Sequence, residues 1–328
     1  MSGVRGRAPT RASVPTRAQT TSQDATQPSD ARREGQTFAG RSFLVRYANL
    51  VKLPHTLFAL PFALVGVTIA SYVKQVTLRD VVWVTVAFAA ARFAAMGFNR
   101  IVDRRIDALN PRTAGREIPS GHISATQAAV AVGIASLLFV VSAWQLNPLC
   151  LVLSPVALAW VFWYSYTKRF TRWAHLVLGL GLGIAPVGGY LAVTGAWSSP
   201  WWVLVLLAIA VMGWVGGFDI FYALQDLHFD REHGLHSVPV AMGERRAIWV
   251  ARLLHATTVA ALALVGFGIG AGTVYALGVI AVAGLLVYEH SLVRGGDLTR
   301  LDAAFFTMNG IISITFFGFV LAARLVGG

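Results

Sequence analysis

Two groups of oxygen-bearing side chains stand out because their spacing repeats in steps of three and four residues. The first group is Asn99, Asp103 and Asp107, and the second is Asp219, Tyr222, Asp226 and Asp230. Side chains three, four or seven residues apart lie on one face of a helix. Each group is therefore predicted to direct its carboxylates toward one point, as a divalent cation requires.

Each group lies at the end of an apolar stretch long enough to cross a bilayer, where carboxylates are costly unless something compensates their charge. Magnesium prefers oxygen ligands and is commonly held by one or two carboxylates together with substrate phosphates. Two such groups are thus predicted to hold Mg²⁺ and a diphosphate. The alternative is that the aspartates only cap helices or pair with nearby arginines, which would explain one group better than two.

Basic residues near both groups strengthen the diphosphate interpretation. Arg116 follows the first group, and Lys168 and Arg169 follow a later apolar run. Arginine and lysine suit phosphate oxygens, although each of them alone could be an anchoring charge at the membrane surface. Arg92 differs because it lies inside an apolar run, seven residues before Asn99 and on the same helical face. A charged side chain at that depth is predicted to bind substrate.

The remaining sequence predicts the elements that position these residues. Of the 328 residues, 56% are hydrophobic and 13% are charged, against about 25% charged in soluble proteins. Apolar runs of about 20 residues recur from Leu53 onward, which predicts an all-α integral membrane protein. We expect nine spans, at about 53–73, 81–103, 124–144, 149–166, 174–193, 201–222, 247–266, 270–289 and 303–324.

The charges of the loops predict how these spans are oriented. Four loops are basic, namely 104–122, 167–173, 223–246 and 290–302, whereas the loops between them, apart from 74–80, contain no lysine or arginine. By the positive-inside rule the basic loops and the N-terminal tail are cytoplasmic, and the C-terminus lies outside. Both acidic groups are then predicted to face the cytoplasm, most simply at a bacterial inner membrane.

Residues 1–39 are polar and rich in arginine, which predicts a disordered tail before a single membrane domain at 40–328. An organellar transit peptide is the alternative interpretation of this tail. The net charge of +12 does not indicate nucleic-acid binding, because the basic residues concentrate in the tail and in alternate loops, where they meet lipid headgroups. The single cysteine, Cys150, excludes an intramolecular disulfide. No feature of the sequence fixes an oligomeric state.

These motifs together resemble those of the UbiA superfamily of membrane-embedded prenyltransferases, which attach polyprenyl chains to aromatic acceptors. The resemblance covers nearly the whole chain after residue 40, and it includes Tyr164 to Arg169, the Arg112-x3-Arg116 pair and Arg92 beside the two acidic groups. It implies nine transmembrane helices around a central cavity. It also implies a Mg²⁺-dependent enzyme of ubiquinone or menaquinone biosynthesis, with polyprenyl diphosphate as donor and 4-hydroxybenzoate or 1,4-dihydroxy-6-naphthoate as acceptor.

The resemblance also implies a role for each matching position. Asn99 and the five aspartates of the two groups would hold Mg²⁺ and the diphosphate. Lys168 and Arg169 would close over the diphosphate with Arg116 as a further cation, and Tyr222 would stand beside the reacting allylic carbon. His55 matches a region near the acceptor pocket of the family, although a helix-start or packing role is an equal alternative.

One residue departs from the family pattern, and two rival functions stay open. Arg100 stands where the family often has an aspartate after the asparagine, which leaves the number of metal ligands open and slightly favours the naphthoate acceptor. A haem-farnesylating enzyme is the first rival, and it would need a haem-sized pocket. A transporter is the second rival, but it predicts acids near the membrane midplane rather than at helix ends.

Overall fold

The computed structural model describes Gly3, Phe38 and residues 42–293 and 301–327, with the side chains of 54–58 and 301–306 left out. Within these residues all regular structure is helical. The twelve helices are α1 (Phe43–Leu50), α2 (Leu53–Ala70), α3 (Leu78–Leu109), α4 (Ala125–Leu146), α5 (Pro148–Thr167), α6 (Ala174–Thr194), α7 (Trp202–Gln225), α8 (Leu227–Glu232), α9 (Val238–Met242), α10 (Glu244–Gly268), α11 (Thr273–Val293) and α12 (Leu301–Gly327).

The predicted all-helical membrane fold is confirmed. Eight helices in the described ranges are long and apolar enough to cross a bilayer: α3 to α7 and α10 to α12. The remaining predicted span, 53–73, corresponds to α2, whose shorter apolar part is 59–70. The short helices α1, α8 and α9 are not among the predicted spans. The predicted disordered tail at 1–39 lies outside the described residues except for Gly3 and Phe38, so it stays a prediction.

Side-chain caps explain where three of the spans begin. Thr77 and Asp80 form a reciprocal capping box at the start of α3, and Ser124 and Gln127 form another at the start of α4. Each box satisfies backbone N–H groups that the first helical turn leaves without partners. Asn147 caps α5 by a single bond, in which its side-chain oxygen accepts from the Cys150 backbone N–H. These caps therefore fix the residues at which α3, α4 and α5 begin.

The helix α7 forms the centre of the bundle. Of its spanning segment 61% is buried within the protein, against 11% for α5, which leaves the surface of α5 to the lipid. On one side α7 packs against α10. From there α10 contacts α11, α11 contacts α12 and α12 contacts α2, and we call these three helices the α10–α12 row. On the other side α7 packs against α6, and α2 to α6 enclose a separate space. This second space contains the candidate active site.

Two glycines allow α2 and α6 to approach closely. A Cβ atom at Gly66 would overlap the backbone carbonyl of Pro186, and a Cβ atom at Gly189 would overlap that of Ala63. Small residues at helix contacts of this kind are typical of membrane bundles, where close backbone packing drives association. The wall between the cavity and the α10–α12 row therefore depends on these two positions.

We expect Gly189→Ala to destabilise the bundle, because the added methyl group has no room against the α2 backbone. Overpacking of this kind costs about 1–3 kcal/mol. Thermal unfolding of the detergent-purified protein should show a lower midpoint. The matched control is Gly188→Ala on the same helix, since a Cβ atom there meets no atom within 4 Å. Equal midpoints for the two variants would contradict the close contact.

Candidate active site

A cavity of about 800 Å³ lies among α2 to α7, and one end of it is polar. Apolar side chains from α4, α5 and α6, such as Phe139, Val156 and Leu182, line the rest of its wall. Ten of the predicted site residues line this single space: Arg92, Asn99, Asp103, Asp107, Arg116, Lys168, Asp219, Tyr222, Asp226 and Asp230. Arg169 contacts the site from its edge. The side chain of His55 lies outside the described part of the chain.

The first acidic group follows one face of α3, as its spacing predicts. The helix continues to Leu109, so that Asn99, Asp103 and Asp107 all belong to it. Both aspartates are buried, with 2% and 4% of their surface exposed. Asn99 Nδ2 donates a hydrogen bond of 3.1 Å to Asp103 Oδ2. This bond orients the asparagine oxygen and the aspartate from adjacent turns of the helix.

The second acidic group does not lie on one continuous helix, and that expectation was wrong. α7 ends at Gln225, Asp226 forms the junction with φ −97° and ψ 6°, and Asp230 belongs to α8. At this break the Asp226 carboxylate accepts hydrogen bonds from the segment after α3. Asp219 and Asp226 nevertheless line the same cavity, because the chain turns over its polar end.

The two aspartates of α3 are paired with basic side chains that follow α3 and α5. Asp103 pairs with Lys168 at 3.0 Å and with Arg169 at 3.2 Å. Asp107 Oδ1 pairs with Arg116 at 2.7 Å. These pairs compensate carboxylates that would otherwise be buried with an uncompensated charge, at a cost of several kcal/mol each. The same cations are the ones that the sequence assigned to the diphosphate.

Asp226 is held by two residues that the sequence analysis did not assign to the site. Asn110 Nδ2 donates a hydrogen bond of 3.0 Å to its Oδ1, and the Arg112 guanidinium grips both carboxylate oxygens. Asn110 also fixes Arg112, because its side-chain oxygen accepts from the Arg112 backbone N–H at 2.9 Å. The Asn-Pro-Arg sequence directly after the first acidic group was the available signal for this contact.

Asp219 has a histidine partner that the sequence analysis also missed. The Nδ1 atom of His175, in the first turn of α6, lies 2.7 Å from Asp219 Oδ2. His175 is buried, with 4% of its surface exposed, and it lines the cavity. No spacing rule links positions 175 and 219. Only the packing of α6 against α7 brings these two side chains together.

Asp230 shows the electrostatic cost of gathering carboxylates at this end of the cavity. Burial, and then the nearby Asp226 carboxylate, raise its pKa to about 6, although Lys168 and Arg112 act in the opposite direction. The raised pKa means that the carboxylate form of Asp230 is poorly stabilised by its present surroundings. A divalent cation bound beside it would therefore favour its ionised form.

The donor atoms at the polar end fit a magnesium ion held in part by its substrate. Asp107 Oδ2 is buried and has no hydrogen-bond partner in the described structure, and a buried carboxylate oxygen calls for a proton or a cation. Asn99 and the aspartates supply only oxygen ligands, which Mg²⁺ prefers. No three Asp, Glu, His or Cys side chains of the described residues converge on one point. An ion here would therefore need further oxygens from water or phosphate.

Arg92 lies deeper in the cavity, away from the aspartates. It is two helical turns before Asn99, which is about 10 Å along the axis of α3. Its Nε is buried with no hydrogen-bond partner among the described residues. An arginine inside a membrane span is costly without a countercharge. The cavity therefore has a second polar point, suited to an anion, on its otherwise apolar wall.

Comparison with known proteins places the chain in a family. Residues 59–311 match the UbiA prenyltransferase family. The 4-hydroxybenzoate octaprenyltransferase of Tolumonas auensis is 30% identical over 231 residues, which cover 70% of this chain and 79% of that protein. The protein of the same name from Alkalilimnicola ehrlichii is 30% identical over 237 residues, 72% of this chain and 79% of that one.

Solved structures agree with this assignment. The apo structure of a UbiA homologue from Aeropyrum pernix K1 superposes with a TM-score of 0.74 at 32% identity, over 83% of this chain and 97% of that one. A UbiA homologue from Archaeoglobus fulgidus, bound to DMAPP and Mg²⁺, shares the fold with a TM-score of 0.62 at 20% identity, over 86% of this chain and 99% of that one. The chain therefore belongs to the UbiA prenyltransferase family and is an integral membrane enzyme that transfers prenyl groups.

Proposed function

We propose that the protein transfers a polyprenyl group from polyprenyl diphosphate to the ring of a hydroxylated aromatic acid, with Mg²⁺, in ubiquinone or menaquinone biosynthesis. One observation carries this proposal. A single cavity joins an end rich in aspartates and basic residues, a long apolar wall, and a separate guanidinium at Arg92, whose Nε is buried. These three parts match the diphosphate, the prenyl chain and the carboxylate of the acceptor.

The acidic end of the cavity suits the diphosphate of the donor. When bound, Mg²⁺ would be held by Asn99 and the aspartates and would neutralise charge on the leaving diphosphate. Four basic side chains, Lys168, Arg169, Arg112 and Arg116, already lie within reach of these carboxylates. Their present partners are aspartates, so phosphate oxygens offer them equivalent charge-assisted bonds. These residues therefore bind and orient the leaving group.

The apolar wall suits the long chain of the donor. The cavity lining follows α6 from His175 to Leu191, a distance of about 24 Å at the helical rise. Burying an apolar chain along this wall removes it from water. The A. fulgidus homologue binds the short donor DMAPP, and the name of the T. auensis relative specifies an octaprenyl group. The apolar length here favours a polyprenyl donor.

Arg92 suits the carboxylate of an aromatic acid. A guanidinium binds a carboxylate through two parallel hydrogen bonds, and the buried Nε of Arg92 has no other partner within the described part of the chain. An acid held there would extend its ring toward the aspartate-rich end, where Tyr222 and Phe218 line the cavity. The names of the T. auensis and A. ehrlichii relatives specify 4-hydroxybenzoate as acceptor, which favours an aromatic acid over haem.

The proposed reaction breaks one bond and forms another at this junction. The allylic carbon–oxygen bond of the donor breaks, and both electrons leave with the diphosphate. The positive charge that develops on the allylic carbon lies where the polar end meets the apolar wall, and Tyr222, which lines the cavity there, can stabilise it by cation–π interaction. A ring carbon of the phenol then forms the new carbon–carbon bond, and the ring restores its aromaticity by losing a proton to water or to the released diphosphate.

The acidic end is proposed to face the cytoplasm of a bacterial inner membrane. The contact of Arg112 with Asp226 brings the loops at 104–122 and 223–246 to the same end of the bundle. Both loops are basic, as expected for cytoplasmic loops. Reporter fusions that place these two loops on the periplasmic side would contradict the orientation.

The most direct test is an assay of purified protein with a polyprenyl diphosphate, Mg²⁺, and a panel containing 4-hydroxybenzoate and 1,4-dihydroxy-6-naphthoate. We expect a prenylated product with at least one acid, loss of activity after chelation, and recovery when Mg²⁺ is restored. Mass spectrometry of the product identifies the acceptor. No product with any acid, or full activity after chelation, would contradict the proposed function.

Asp103→Ala and Asp226→Ala should abolish turnover, because each removes a carboxylate from the polar end and releases its basic partner. Both proteins should still insert into the membrane, since the apolar spans are unchanged. The matched control is Glu232→Gln, which alters an exposed acid on α8. Turnover is measured as product per molecule of folded protein. Near-normal rates for both aspartate variants would make these acids structural.

Arg92→Leu should raise the KM for the aromatic acid by 10-fold or more, on the order of the 1.5–3 kcal/mol assigned to a hydrogen bond with a charged group. The KM for the polyprenyl diphosphate should change little. The variant should also lose the preference of the enzyme for the acid over its neutral amide. Arg246→Leu, an exposed arginine at the start of α10, is the control. An unchanged preference would exclude Arg92 as the carboxylate partner.

A further inference from the structure

His175 supports Asp219 through its first ring nitrogen and makes a second directed contact through the other. Its Nδ1 lies 2.7 Å from Asp219 Oδ2, and its Nε2 lies 3.3 Å from the backbone nitrogen of Val238, at the start of α9. The ring is 4% exposed. It therefore connects three elements, α6, α7 and α9, at the edge of the cavity.

These contacts fix where the imidazole carries its proton. A backbone N–H can only donate, so Nε2 of His175 must accept the hydrogen bond from Val238. A ring whose Nε2 accepts is neutral and carries its single proton on Nδ1. That proton is donated to Asp219 Oδ2. The geometry thus assigns a neutral, Nδ1-protonated imidazole to this position.

A neutral partner affects Asp219 differently from the way cations affect the other aspartates. Lys168, Arg169, Arg116 and Arg112 carry a positive charge, so each competes with a metal ion for its carboxylate. The imidazole orients a carboxylate and adds no charge that an incoming cation must overcome. It also uses only Oδ2, and no described residue donates a hydrogen bond to Asp219 Oδ1. Asp219 is therefore held in place and remains able to bind a cation.

The same chain segment is joined to the basic loop of the site. The backbone N–H of His236, two residues before Val238, donates a hydrogen bond of 2.7 Å to the Lys168 carbonyl. Ser237 and Leu235 line the cavity beside it. The segment 235–238 thus ties the α5–α6 loop to the support of Asp219. The backbone segment that contacts the imidazole at Val238 is therefore itself held by a hydrogen bond at His236.

We propose that His175 is a positioning residue that holds Asp219 in the orientation required to bind the divalent cation of the diphosphate site. This inference rests on the proposed function, because it presupposes that a divalent cation binds with the diphosphate. Hydrogen-bonded partners that orient metal ligands typically account for 10- to 100-fold in metal affinity. His175 acts through Asp219, whereas the basic residues are expected to contact the diphosphate itself.

The test measures metal binding without catalysis. Mn²⁺ replaces Mg²⁺, an unreactive thiodiphosphate analogue of the donor is present, no acceptor is added, and the free Mn²⁺ signal is followed by electron paramagnetic resonance. We expect His175→Leu to weaken Mn²⁺ binding about 10- to 100-fold. His175→Gln should bind nearly as wild type does, because its amide offers both a donor and an acceptor. In an Asp219→Asn background, His175→Leu should cause little further loss.

The matched control is His255→Leu. His255 is also buried, with 3% of its surface exposed, and it also contacts α7, through the carbonyl of Trp214 at 3.2 Å, but it is not among the residues that line the cavity. A loss of Mn²⁺ affinity in this control equal to that in His175→Leu would reduce the effect to a general perturbation of α7 and would overturn the proposal. Wild-type affinity in His175→Leu would also overturn it.

Two further features keep the test decisive. If His175→Leu does not yield folded protein, His175→Ser replaces it, because the hydroxyl group is polar but too short to reach Asp219, and the same loss is expected.

Metal binding is measured without an acceptor, so a wild-type protein that binds Mn²⁺ but transfers no prenyl group would contradict the proposed function alone. Equal affinities of wild type and both His175 variants would contradict the positioning role alone.

Discussion

Carboxylates buried beside hydrocarbon need a positive partner, and that requirement organises the polar end of this protein. Asp103 and Asp107 are almost fully enclosed, so leaving either charge uncompensated would cost several kcal/mol. The loops supply the compensation, with Lys168 and Arg169 for Asp103, Arg116 for Asp107 and Arg112 for Asp226. Most of these pairs join segments that are distant in sequence, and all lie at the polar end of the cavity.

The helical framework provides the geometry that these pairs need. α3 extends to Leu109 and carries one acidic group beyond the apolar part of the bundle, while α7 ends at Gln225 so that the chain can turn over the same end. Close contact of α2 with α6, at Gly66 and Gly189, keeps the cavity wall intact. The charged side chains at the polar end can therefore exchange aspartate partners for phosphate while the apolar wall stays packed. A site that must bind and release a large anion benefits when its charged groups can move and its apolar wall does not.

Much of this arrangement could be predicted from the sequence because membrane spans and helix periodicity are local properties. The runs at 124–144, 149–166 and 174–193 agree with α4, α5 and α6 to within about two residues. The acidic spacing and the resemblance to the prenyltransferase superfamily indicated ten residues that share one cavity. The contacts made at the Asp226 break could not be foreseen, because they come from Asn110 and Arg112, more than 100 residues earlier. His175 was missed for the same reason, since its pairing with Asp219 arises from helix packing.

Prenyl transfer at this site requires the aspartates to accept Mg²⁺ together with a diphosphate in place of their present basic partners. The most direct measurement is the affinity of the purified protein for an unreactive polyprenyl thiodiphosphate, determined by calorimetry with and without Mg²⁺. We expect tight binding only when Mg²⁺ is present. Asp103→Ala should strongly weaken this binding, because it removes a proposed ligand. Equal affinity without Mg²⁺, or equal affinity of the Asp103→Ala variant in its presence, would contradict this requirement.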